Sequence, residues 1–252
     1  MEFRLSDEHR MLRDTVRDFR DNEIRPIVDG LDPDATHAPA ATETALREKA
    51  KEMGLWAMGI PEEYGGGDLG ILGRAVVQEE LAKHRLGLYN PGLGAIELTP
   101  GIGVGSPEVY LETATDHHIE KFIEPAMRGE LKGCFALTEP AAGSDPTNMQ
   151  TRATKAGDEW VIDGEKRWIT GAGYADYAIL FARAVVDGED EGITAFLVDT
   201  DNPGWSIHRR MDVIRPDHPY KVHLDGMRVP DADRFSEVGG GLELAASGIR
   251  AS

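Results

Sequence analysis

The hydrophobic period of this chain changes at Cys134, and a chain that switches period cannot be built from one kind of layer. On the N-terminal side apolar residues recur every three or four positions. Ser6 precedes Asp7 and Glu8, a helix start with acids in its first turn. Leu12, Val16 and Phe19 then form the stripe of an amphipathic helix predicted to end near Pro26. Asp29 to Ala40 is loop by composition, and a second helix is predicted from about Thr42 to Met53, stopped by Gly54. A third, Ile71 to His84, is expected to turn Ala75, Val76 and Leu81 inward and Glu79, Glu80 and Lys83 outward. A fourth is expected within Glu108 to Met127, broken at Pro125. Gly87 to Pro107 lacks periodicity, with at best a helix fragment around Gly94 to Leu98. The run Gly65, Gly66, Gly67 reads as a structural turn, because no Lys-Ser or Lys-Thr follows it as in a phosphate loop. His117 and His118 are neighbours whose side chains diverge by about 100° on a helix, so they read as surface residues rather than metal ligands.

Past Cys134 the pattern alternates. Thr151 to Gly173 carries turn signals at Ala156-Gly157-Asp158 and Asp163-Gly164, with Trp160, Val161 and Ile162 between them. Tyr177 to Val186 and Ile193 to Thr200 form a strand pair joined by the loop Asp187 to Gly192. Lys221 to Pro230 is a further strand, bent at Asp225-Gly226. Six or more short strands with such turns imply an antiparallel sandwich or barrel. The expected fold is therefore α+β. An all-helical N-terminal domain over residues 1–132 precedes an antiparallel β-sandwich or barrel over 133–238, and 239–252 is a glycine hinge opening another helix.

Acidic residues number 45 against 27 basic, a formal net charge of −18. A field of that sign repels nucleic acid and anionic membranes, which excludes both as partners. The charge is dispersed, which favours solubility over an acidic docking face as its role. The single cysteine, Cys134, excludes a disulfide framework and a thiolate metal site. It reads as a small buried apolar residue, a thiol beside a redox cofactor being the other reading. No apolar run reaches the length of a membrane span, and Met1 to Arg20 is charged throughout, so the chain is expected to be cytoplasmic, with neither signal peptide nor anchor.

Two stretches carry chemistry. CFALTEPAAGSD, from Cys134 to Asp145, begins as an apolar strand, turns polar at Thr138, breaks at Pro140 and ends in Gly143, Ser144 and Asp145. Such a turn offers backbone N–H groups and short hydroxyls to a planar, polar ligand and its phosphates. RWITGAG, from Arg167 to Gly173, sets the aromatic face of Trp168 two residues from the hydroxyl of Thr170, on the same side of a strand.

In wording and spacing these stretches resemble the acyl-CoA dehydrogenase family of flavoproteins, and the resemblance extends from about Phe3 to Ser252. It implies FAD as cofactor, held by Phe135, Leu137, Thr138, Trp168 and Thr170, with backbone contacts at Leu137 and Ile169. Gly143 and Ser144 would lie near the pyrophosphate, and Ser144 near the acyl-CoA substrate. It also implies α,β-dehydrogenation of an acyl-CoA thioester, an electron-transfer flavoprotein as acceptor, and a homo- or hetero-oligomer. The family's base is a glutamate of a C-terminal four-helix domain that has no counterpart here, so no catalytic base is assigned. Glu139 is not that base, since the family pattern has glutamate there without a catalytic role. A second departure is that Arg215 to Pro219 replace a segment that commonly carries serine and threonine. Arg209 or Arg210 could meet a CoA phosphate, but as neighbours on a strand at most one of them would. A catalytically silent subunit that binds flavin or acyl-CoA is one competing reading, and a flavin oxidase or monooxygenase built on the same fold is another.

Overall fold

The computed structural model describes residues 4–33, 35, 38–58, 62, 66–84, 111–213 and 218–250. The predicted helix fragment at Gly94 to Leu98, Gly65 of the glycine run and the segment Arg215 to Asp217 lie outside them. The chain forms two compact units, Met1–Thr99 and Pro100–Ser252.

In the first unit α1, Asp7–Phe19, starts where Ser6 Oγ accepts the His9 N–H at 3.2 Å. It does not end at Pro26. The turn Arg20–Ile24 is widened to a π-turn and α2, Arg25–Gly30, continues through the proline. In a regular α-helix the ring of Pro26 would strike the carbonyl four residues back, and the Arg25 N–H bond to Arg20 O, five residues back, relieves that clash. Pro125 is accommodated the same way: the π-turn Ile119–Ile123 precedes Glu124–Met127, so the predicted break is a bulge. The next helix, α3, Ala40–Glu52, ends at Gly54 with φ +69°. Gly54 N–H bonds to Lys51 O and Leu55 N–H to Ala50 O at 2.8 Å, a Schellman stop.

The helix α4, Ile71–Leu81, departs from its sequence reading at two residues. Ala75 is exposed, and Glu80 is buried because it lies one turn on from Val76 and Val77, on the inward face. Its carboxylate is met by Arg20 at 2.7 Å, Lys83 at 2.8 Å and Arg17 at 3.4 Å. Around these groups Val16, Phe19, Ile24, Val28, Leu46, Leu55, Met58, Val77 and Leu81 form the apolar core of the unit.

The second unit is a seven-stranded sheet: β1 Gly133–Ala136, β2 Arg152–Ala156, β3 Glu159–Thr170, β4 Tyr177–Val186, β5 Glu189–Asp199, β6 Trp205–Arg210 and β7 Pro219–Pro230. The order is β1-β4-β2-β3-β7-β6, with β5 on β4. The sheet is mixed rather than purely antiparallel, because β1 and β2 both run parallel to β4. Hairpin signals mark only neighbours in sequence, and these two pairings join strands distant along the chain. Ala153, Trp160, Ile162, Leu180, Phe196, Val222 and Leu224 fill one cluster of the core. Phe122, Ile123, Tyr177, Ile179, Phe181 and Phe235 fill another, completed by Leu244 and Ala245 of the terminal helix Gly241–Arg250.

Neither predicted bend at an Asp-Gly pair is a turn. Asp163-Gly164 and Asp225-Gly226 lie side by side in the paired strands β3 and β7, where the register slips. Asp163 Oδ1 accepts the Gly226 N–H at 2.7 Å, and a Cβ on Gly164 would land on Thr151. Gly164→Ala is therefore expected to cost about 1–3 kcal/mol, read as a lower urea midpoint. The hairpin at Asp187-Gly188 is a two-residue turn with positive φ at both positions, as its sequence requires.

His118 is buried, contrary to its surface reading. Its Nδ1 accepts the Thr115 N–H at 3.1 Å and its ring meets Phe235 edge-on, while burial pushes its pKa down. The adjacent His117 approaches Asp233 at 2.6 Å. Among the described residues no helix is long and apolar enough to cross a membrane.

Candidate functional site

One edge of β4 is taken by β5 and the other is shared, first by β1 and then by β2. β1 reaches Leu180 and β2 begins at Arg183, so the chain from Leu137 to Thr151 leaves the sheet between them. This excursion is the signature stretch. It re-enters where the Arg183 N–H bonds to Thr151 O at 2.8 Å.

Within it Glu139 and Ala142 exchange backbone hydrogen bonds of 2.9 and 3.3 Å around Pro140, closing a tight turn. Asp145 then caps the turn Pro146–Asn148 by accepting the Thr147 N–H at 3.0 Å. The second stretch arrives alongside: the Arg167 N–H donates to Thr138 O at 2.8 Å. The end of β1 and the end of β3 thus lie edge to edge, although 29 residues separate Thr138 from Arg167 in sequence.

Behind that junction sits an ion pair that the sequence reading missed. Lys166 is wholly buried, its Nζ 2.7 Å from Glu139 Oε1 and 3.2 Å from Leu137 O. Glu139 also accepts the Gln150 N–H at 2.6 Å and the Thr151 N–H at 3.1 Å. The signal was present, because Trp160, Ile162, Gly164 and Lys166 share one parity of β3 and that parity faces the core. Burial lowers the Lys166 ammonium to about 8, against the opposing pull of Glu139. Burial works to raise Glu139, but the Lys166 charge and the hydrogen bonds to it prevail and hold it below the usual carboxylate range. A carboxylate whose folded pKa is depressed contributes stability above its unfolded value, and that contribution is lost as pH falls through the folded value. Wild-type stability is thus expected to fall steeply below about pH 4.5, and Glu139→Gln to flatten that acid limb in urea titrations at stepped pH.

Around the junction the named residues divide. Trp168 is 47% exposed and has φ +64°, the left-handed region, at a bulge where β3 slips against β7 between Lys166 and Ile169. The Arg167 guanidinium stands 5.1 Å from its ring centroid. Thr170 is exposed, and Ile169 between them is buried, leaving only its backbone for a ligand. Phe135 is half-buried with its ring 5.0 Å from that of Phe181, and Leu137 and Thr138 are half-buried beside it. Gly143 and Ser144 are exposed, and a Cβ on Gly143 would meet nothing. Cys134 is buried, which pushes its thiol up to about 12 and makes it a packing residue. Arg209 and Arg210 are both exposed on the edge strand β6.

Family models match the chain twice: the N-terminal domain of acyl-CoA dehydrogenases over residues 6–130 and their middle domain over 134–224. With these two domains in the family's own order, the chain belongs to the acyl-CoA dehydrogenase family. The mitochondrial short-chain specific acyl-CoA dehydrogenase of Rattus norvegicus is 32% identical over 243 residues, which cover 96% of this chain and 56% of that protein. Butyryl-CoA dehydrogenase from Megasphaera elsdenii superposes with a TM-score of 0.75 at 30% identity, covering 97% of this chain and 62% of that one. A glutaryl-CoA dehydrogenase from Mycobacterium smegmatis, solved in complex with FADH2, does so at 0.75 and 27%, covering 98% and 60%. The chain therefore spans little more than half the length of these relatives.

Proposed function

We propose that this chain carries the flavin-facing surface of an acyl-CoA dehydrogenase, with FAD as cofactor and an acyl-CoA thioester as substrate. The observation that carries the reading is the bond between Arg167 N–H and Thr138 O, which brings both signature stretches to one place beside an exposed tryptophan. A solvent-facing indole held in left-handed backbone is disfavoured locally, and such outliers concentrate at ligand sites. The donor set fits a flavin. Trp168 offers a flat face, and the hydroxyls of Thr138 and Thr170 with the backbone of Leu137 and Ile169 suit a polar ring edge. Phe135, half-buried on β1, would add apolar surface for the ring. Open space at Gly143 and the hydroxyl of Ser144 suit phosphate oxygens or the acyl-CoA. The solved relative with FADH2 supports the same choice of cofactor.

When bound, FAD supplies the hydride acceptor for dehydrogenation between the α and β carbons of the thioester. The residues described here bind and orient. Glu139 removes no proton, because Lys166 and two backbone amides occupy its carboxylate. No residue among those described is assigned as the base. Electron-transfer flavoprotein as acceptor, and association into an oligomer, follow from the family alone. The test is anaerobic absorbance of the FAD-loaded chain with a panel of short-chain acyl-CoAs. Bleaching of the flavin band supports dehydrogenation. Retained FAD whose spectrum no acyl-CoA perturbs would leave a silent flavin-binding subunit.

A further inference from the structure

Lys166 is the one lysine buried among the described residues, and its ammonium reaches the backbone of the first signature stretch. Its ammonium donates to Leu137 O at 3.2 Å, and Glu139, anchored by the Gln150 and Thr151 amides, neutralises it at 2.7 Å. A trans peptide is planar, with its carbonyl and N–H pointing opposite ways. With Leu137 C=O turned toward Lys166, the N–H of the same peptide, that of Thr138, points away from it. The next peptide is fixed as well, since Thr138 O accepts the Arg167 N–H. A carbonyl that accepts from an ammonium loses electron density, which makes the N–H across the peptide a stronger donor.

We infer that Lys166 is a positioning residue for the cofactor: it fixes and polarises the Leu137–Thr138 peptide so that the Thr138 N–H favours the electron-rich reduced ring over the oxidised one. The inference rests on the flavin reading above. Because Glu139 cancels the net charge, the effect is local and passes through the peptide. A purely structural ion pair would instead support both redox forms equally.

The experiment measures anaerobic dissociation constants for FAD and FADH2 with the wild-type chain, Lys166→Met and the double variant Glu139→Gln/Lys166→Met. In both variants the preference for FADH2 over FAD is expected to fall about tenfold, a potential about 30 mV lower for a two-electron couple. The double variant leaves no unpaired charge, so it reports even where Lys166→Met alone unfolds. In the flavin-free chain the carbonyl ¹³C resonance of Leu137 is expected to move upfield in the double variant as its hydrogen bond is lost. Equal weakening of both redox forms, or an unmoved Leu137 resonance, overturns the inference and leaves the flavin reading standing. A folded wild-type chain that binds neither FAD nor FADH2 overturns both.

Discussion

Replacing Lys166 by methionine is expected to lower the unfolding free energy by about 3–5 kcal/mol, the usual cost of leaving one partner of a buried ion pair uncompensated. Lys166 and Glu139 have side-chain exposures of 0% and 2%, so water cannot take over the role of the lost ammonium. The two backbone amides on Glu139 remain, but they cannot neutralise it. A loss of that size is a large share of the roughly 5–15 kcal/mol that holds a domain folded. The double variant Glu139→Gln/Lys166→Met is expected to recover most of it, because two neutral groups replace the pair. Urea unfolding decides the matter through the midpoint at unchanged slope. A shift below about 1 kcal/mol for Lys166→Met would show that the pair is solvated in solution.

Two tryptophans of β3 are expected to behave in opposite ways. Trp160 is 1% exposed, packs 5.4 Å from Phe196 and donates its Nε1–H to Asp231 at 2.7 Å. Trp160→Ala should cost about 3–5 kcal/mol of stability and leave the FAD affinity of the folded fraction unchanged. Trp168 touches little of the core, so Trp168→Ala should leave stability within about 0.5 kcal/mol. It should weaken FAD binding about tenfold, equivalent to about 1.4 kcal/mol, as quenching of flavin fluorescence reports. Equal effects on FAD binding in two folded variants would reduce Trp168 to a surface residue.

The change of period at Cys134 was enough to separate helical from β structure, because burying one face imposes periods of 3.6 and 2 on any sequence. The hairpin at Gly157 was legible for the same local reason, since its turn demands a residue that tolerates positive φ; the next hairpin was legible too, but its loop shrinks from Asp187–Gly192 to Asp187-Gly188 because Glu189 to Gly192 pair with β4. What was not legible depends on partners far along the chain. Asp163-Gly164 carries a turn signal, but β7 presents a second Asp-Gly pair beside it and the two make a bulge. Pro26 and Pro125 are proper breakers, yet a π-turn before each lets the helix pass. Glu80 and Lys166 look like surface charges until Arg20 and Glu139 arrive to neutralise them. At the site the two signature stretches could be named from sequence. The hydrogen bond that joins them and the buried lysine behind it required the fold.

The central claim is that residues from two separate stretches make one surface for a single ligand. The most direct test is a pair of amide ¹H–¹⁵N spectra of the folded chain, without and with saturating FAD. Amides from Leu137 to Ser144 and from Arg167 to Gly171 are expected to shift together along one titration curve. Shifts confined to one of these stretches, or mapping to residues of the Met1–Thr99 unit instead, would contradict it.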